Sequence, residues 1–244
     1  MKYGKHIQQV LFMYSGVIFI ASLFNVTLYT YFWTIYAVLF IGIVISAYYH
    51  RFLTHYSWNC PRWLEVILAI MTAGHGLTPA ISWVAVHRKH HRMSDTPEDP
   101  HGPHKGFIKN ALVSFYQTDL KYATNKLLND DLYKFQLKYY AVIAIVYYCV
   151  WAYFFGPVSW LIINGFAYIG QVTINYIAHD KGKPVNRPQF ALLLSAETYH
   201  LNHHKFPTEP RFGKYDIPFM FIRTVDPQSA QDIPQWSNKD DLTK

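Results

Sequence analysis

Two long stretches of this 244-residue chain carry no charge. His6 to His50 and Tyr139 to His179 hold none of the 22 Lys and Arg and none of the 15 Asp and Glu. Each stretch is about 40 residues, and a hydrocarbon core roughly 30 Å thick takes about 20 helical residues, so each holds two spans. The expected spans are 10–28 and 32–49, with a turn around Thr30, then 139–155 and 158–178, divided at Gly156-Pro157 where a helix breaks. Both turns are too short for a domain, so each pair of spans is a helical hairpin. A composition 51% apolar, 18% aromatic and 15% charged excludes a disordered chain and a simple water-soluble globule alike.

The Lys and Arg residues lie at the amino terminus, in 51–138 and in 180–244, and none lies in the two turns. The positive-inside rule places those three segments, with both chain ends, in the cytoplasm. Lys2 and Lys5 precede an apolar run longer than a signal-peptide core, which reads as a retained helix. The net charge of +7 follows from cationic loops beside spans; no basic stripe interleaved with stacking aromatics points to nucleic acid. Trp63–Leu77, with Glu65, Gly74, His75 and Gly76, reads as an interfacial or re-entrant helix. Segment 107–138 reads as an amphipathic helix through Phe107, Ile108, Leu112, Phe115 and Tyr116, and the Pro-, Asp- and Gln-rich tail as loop. Asn25, Asn164 and Gln171 inside the spans read as helix-packing residues. Cys60 and Cys149 lack metal spacing, which excludes a disulfide framework, a zinc ribbon and an in-chain iron–sulfur cluster.

Nine of the thirteen histidines fall at four places: His50 and His55; His87, His90 and His91; His179; His200, His203 and His204. On a helix His87 and His91 are about 40° apart, with His90 about 60° to the other side, so the three share a face, and His200, His203 and His204 repeat the pattern. Asn175 and His179, four apart, aim at one site. His50 and His55 are about 140° apart on an ideal helix and meet only if the helix ends or distorts between them. A single histidine is more often a surface or hydrogen-bonded residue, so His6, His75, His101 and His104 carry little weight. Nine imidazoles exceed the four ligands typical of one zinc, and two metals fit the count. Imidazole suits iron, zinc, copper and nickel alike, so the residues alone stop at a two-metal, histidine-rich site facing the cytoplasm.

The segments HRFLTH (50–55), WVAVHRKHH (83–91), SDTPEDPH (94–101), NYIAH (175–179) and ETYHLNHHKFP (197–207) resemble, in order, those of the membrane-bound fatty acid desaturases. The four-residue gap in HRFLTH is similar to the acyl-CoA Δ9 branch. That resemblance implies an all-α integral membrane fold. Four transmembrane helices in two hairpins would bear a cytoplasmic helical cap and a di-metal site, all in one domain over 1–244 without a cytochrome b5 domain. It implies two irons held by the nine histidines, with Asn175 reaching the site through water and Glu197 orienting a ligand. It further implies O2-dependent insertion of a cis double bond, Δ9-type, into a fatty-acyl chain. Electrons would come from outside, from a ferredoxin or a cytochrome b5-like protein. The chain departs from the branch at Ala85-Val86, where an Arg-Asp pair helps hold the thioester headgroup, and at 109–113, Ala196 and Leu201. The acyl carrier is therefore open among coenzyme A, lipid and carrier protein. A carotenoid hydroxylase or ketolase shares similar boxes; a metal transporter would place its ligands near the bilayer midplane.

Overall fold

The computed structural model describes residues 4–103, 106, 120–229 and 231, with side chains from residue 9. Helix α1 is Gly4–Phe24 and α2 is Leu28–Ile41. The turn between them lies at residues 25–27, earlier than the expected Thr30. Thr27 starts α2: its hydroxyl accepts from the Thr30 N–H while the Thr30 hydroxyl accepts from the Thr27 N–H. This reciprocal cap outweighs the apolar continuity of the sequence. Asn25 stands exposed in that turn rather than packing inside a span.

Helix α2 runs on without a break into a π-helical segment, Gly42–Thr54. Further on come α3 (Arg62–Gly74), α4 (Ala80–Met93), α5 (Asn125–Asn129), α6 (Asp131–Phe155) and α7 (Pro157–Ile177). The break between α6 and α7 is where expected. Gly156 takes φ +80°, a conformation glycine adopts without strain, and Pro157 opens α7, where its missing N–H is not needed. A two-residue hairpin, His179–Asp180 with Lys183–Pro184, and α8 (His200–Lys205) follow. The tail expected as loop carries a further helix, α9 (Ile217–Val225). Asp216 caps it by accepting from the Phe219 N–H, and Phe219 and Ile222 are buried. Positions 107–119 of the expected amphipathic helix, with His104, lie outside the described residues.

Helix α7 is the hub, packed by α1, α2 and α6. Backbones approach closely at Gly165, where a Cβ would stand 2.2 Å from the Ser15 carbonyl oxygen; such small residues let membrane helices meet. Tyr29 Oη donates to the Phe155 carbonyl at 3.1 Å, joining the two interhelical turns at one end of the bundle. The histidine-bearing ends of the π-helix and α7 therefore share the other end. Helix α3 lies against α6, tied by the Arg62 fork to Asp130 at 2.9 and 2.7 Å. It turns Trp63, Ile67 and Ile70 outward, one stripe at helical spacing.

Among the described residues, three helices are long and apolar enough to cross a membrane: Leu28–Thr54, α6 and α7. In α1 the stretch Gln9–Phe24 is apolar but shorter. Val10, Val17, Val142, Ile145 and Val146 are more than half exposed. A soluble monomer does not leave such faces bare, and lipid covers them in a membrane protein.

Candidate metal centre

All nine histidines expected at the site come together. His50, His55, His87, His91 and His203 form one group and His90, His179, His200 and His204 a second, with ligand-capable atoms inside each within 4.8 Å of one another. Helix α4 serves both: its i, i+4 pair His87 and His91 turns to the first group and His90 to the second. Helix α8 does the same, giving His203 to the first and His200 with His204 to the second. His50 and His55 meet, ring centroids 5.1 Å apart, because a π-helix stacks residues five apart. The helix distorts as the spacing requires, and Thr54 Oγ1 donates to the Tyr49 carbonyl across that turn.

The Nε2 atoms converge. His203 Nε2 is 2.9 Å from that of His50 and 2.8 Å from that of His91, and His87–His91 and His200–His204 are each 3.0 Å apart. Carboxylates lie behind three rings. Nδ1 of His50 donates to Glu197 at 2.7 Å, that of His90 to Asp99 at 2.9 Å and that of His179 to Asp95 at 2.9 Å. A ring whose Nδ1 proton is held this way turns an Nε2 lone pair inward, ready for a metal. Ser46 Oγ donates to the other oxygen of Glu197.

Burial first, then neighbouring imidazoles, hold His55, His87, His91, His200, His203 and His204 far below the usual histidine range, so these rings are neutral. Burial alone would raise Glu197 and Asp99. Pairing with His50, the charge of Arg51 and the Ser46 hydroxyl outweigh it for Glu197; His90 and the His101 N–H do so for Asp99, and both stay ionised. Nε2 of His55 and of His90 is buried without a hydrogen-bond partner among the described residues. Neutral inward lone pairs, two of them orphaned, with carboxylates behind, suit divalent metals that prefer imidazole.

A largely apolar cleft leads to this site. Ile41, Ile45, Phe166, Ala167 and Ile174 line its walls and His50, His87 and His200 its head. Asn175 and Gln171 also face it, with Gln171 Nε2 donating to Asn175 Oδ1 at 3.0 Å; Gln171 thus serves the cleft, not only helix packing. Asn164 does pack, donating to the Trp160 carbonyl and to buried His75.

Asp95 and Asp99 sit beside the second histidine box in a chain with few acids, but no spacing in the sequence assigns them a role. They are joined by His101, a single histidine that carries little weight by sequence alone. That ring is buried, faces the cleft and stacks on His90 with centroids 4.3 Å apart.

The family model for fatty acid desaturases matches residues 27–219. The chain is 30% identical over 209 residues to the sn-1 stearoyl-lipid 9-desaturase of Anabaena variabilis, covering 75% of each. It is 29% identical to Delta-9 acyl-lipid desaturase 1 of Arabidopsis thaliana, covering 76% of this chain and 68% of that one. Against the acyl-CoA Delta(11) desaturase of Trichoplusia ni it is 30% identical, covering 76% and 60%.

Proposed function

The chain belongs to the fatty acid desaturase family, and from that premise we propose that it inserts a cis double bond, Δ9-type, into a fatty-acyl chain at a pair of histidine-held irons. The observation that carries this reading is the apolar cleft ending on His50, His87 and His200. A mid-chain methylene has neither an acidic proton nor a leaving group, so acid–base or nucleophilic side chains gain no purchase on it. Reduced iron with dioxygen supplies the oxidising power for such a C–H bond. In the balance, the acyl chain loses two hydrogens, a donor gives two electrons, the medium gives two protons, and one dioxygen leaves as two waters.

The protein's own part is placement. Ile41, Ile45 and Phe166 keep the chain dry and extended, and which methylene meets the histidine end decides where the bond forms. The nine histidines His50, His55, His87, His90, His91, His179, His200, His203 and His204 would hold the irons, with Glu197, Asp99 and Asp95 orienting three of them and Asn175 reaching the site through water.

We read α1 as the fourth span. Its 21 residues reach about 31 Å at 1.5 Å each. Both turns lie at one end of the bundle and the Lys and Arg residues beyond the other, which supports a cytoplasmic site, cytoplasmic chain ends and one membrane domain over 1–244. Electrons would come from a separate ferredoxin or cytochrome b5-like donor. The acyl-lipid names of two relatives, with Ala85-Val86 where an Arg-Asp pair would hold a thioester headgroup, favour a lipid-bound substrate. Expression in a host with a suitable donor, followed by mass spectrometry that locates double bonds, tests the reading. New Δ9-unsaturated lipids support it, and unchanged unsaturation with oxidised carotenoids refutes it.

A further inference from the structure

Four of the nine rings have a visible tether. His50, His90 and His179 are held at Nδ1 by carboxylates, and His87 lies flat against Trp83, centroids 4.9 Å apart and planes 17° apart. Among the described residues no carboxylate meets His203. Its Nδ1 is buried without a hydrogen-bond partner among the described residues, yet its Nε2 is the atom that meets both His50 and His91. An untethered ring at the middle of a ligand group would turn unless packing held it.

What packs on it is Phe212, fully buried, its ring 4.6 Å from His203 and 5.4 Å from His50. The Arg51 guanidinium carbon also lies over that ring, 3.8 Å from its centroid. Arg51 is itself fully buried: Nη1 donates to the two Asp216 oxygens at 2.9 and 3.0 Å and to the Pro210 carbonyl at 2.8 Å. Asp216 in turn accepts the Phe212 N–H at 2.8 Å. One carboxylate therefore fixes Phe212 twice, at its backbone directly and at its ring through Arg51. The strap carrying Phe212 can lie this close because residue 213 is glycine; a Cβ there would come within 2.4 Å of the Tyr199 ring.

We propose that Arg51 and Phe212 are positioning residues for the five-histidine group, a cation–aromatic stack taking the place of the carboxylate that orients other rings. This rests on the reading of the nine histidines as metal ligands. A buried aromatic suits the task because, tilted 40° to the His203 ring, it blocks that ring's rotation and adds no charge, while Asp216 balances the guanidinium that fixes the aromatic.

The test uses the full chain, purified in detergent and titrated with ferrous iron, comparing wild type with Phe212→Leu, Arg51→Lys, His203→Ala and Asp99→Asn. Iron per folded chain and the X-ray absorption spectrum are read on the monodisperse fraction. Phe212→Leu and Arg51→Lys are expected to bind one iron as wild type does and the other about 10–100-fold more weakly. The weakened iron should be the one His203→Ala loses, not the one Asp99→Asn weakens. Two irons bound with wild-type affinity and spectrum overturn the proposal, even if thermal stability falls, since a purely structural role predicts that result. Should Phe212→Leu yield no folded protein, Arg51→Lys is scored alone by the same criteria. Wild-type protein that binds no iron sinks the ligand reading itself, a different failure.

Discussion

His50 and His55 face one another, five residues apart, because the helix carrying them has widened to a π-helix by the time it leaves the bundle. The Thr54 hydroxyl bonded back to the Tyr49 carbonyl at 2.9 Å closes that wide turn. Thr54→Val keeps the shape and removes the bond, at a cost of about 1 kcal/mol. The expected result is a melting point lower by a few degrees in detergent, with a partial loss of activity.

Glu197 and Asp99 orient rings in different groups. Glu197→Gln and Asp99→Asn are each expected to lower metal affinity by about 10–100-fold, the first at the five-histidine group and the second at the four-histidine group. Metal titration of the purified variants checks both, and a variant that weakens both sites equally contradicts the division.

Ala167 and Phe166 line the apolar cleft, 12 and 13 residues before His179 along the helix that runs to the site. Ala167→Phe should shorten the space beyond the reacting carbons. Long acyl substrates should then lose about tenfold or more per excess methylene relative to shorter ones. Chain-length profiling of products by gas chromatography reads this directly.

Gly165 and Gly170 separate packing need from helix preference. A methyl at Gly165 would drive into the α1 backbone, so Gly165→Ala is expected to cost about 1–3 kcal/mol and to lower folded yield. At Gly170 the nearest atom to a new Cβ is Leu194 Cδ2 at 3.5 Å, an ordinary contact. Gly170→Ala should be tolerated, and thermal unfolding of the pair decides.

Cys60 tests how the chain just before α3 packs against the core. Burial, then the nearby Glu65, pushes its thiol up to about 12. Only the thiolate reacts, so at pH 8 about 1 in 10⁴ molecules is reactive there, rising about tenfold per pH unit. Alkylation of Cys60 in the folded protein should be negligible at pH 8 and climb steeply above pH 10, as measured by peptide mass spectrometry.

The sequence made some of this legible and hid the rest for physical reasons. Charge-free runs reveal apolar helices, and Gly156-Pro157 announces its own turn. The Thr27 cap did not stand out because Thr is as common inside membrane helices as at their ends. The four-residue spacings within the second and third boxes translate directly into one helix face. The five-residue spacing in HRFLTH required a distortion whose form the sequence does not show. Asp95, Asp99 and His101 are not marked by the sequence because their loop has no periodicity, and only folding brings it against His90 and His179. Phe212 was further out of reach, since nothing in its neighbourhood marks a phenylalanine as the support of a histidine nine positions earlier.

The interleaving of ligands along α4 and α8 bears on how the protein is made. His203 is 153 residues from its partner His50, and α8 supplies rings to both groups. Neither group is whole until nearly the entire chain has left the ribosome. On the proposed reading, metal incorporation would therefore be the final event of biogenesis, and a chain truncated before His200 should be inserted but incapable of maturing at either position.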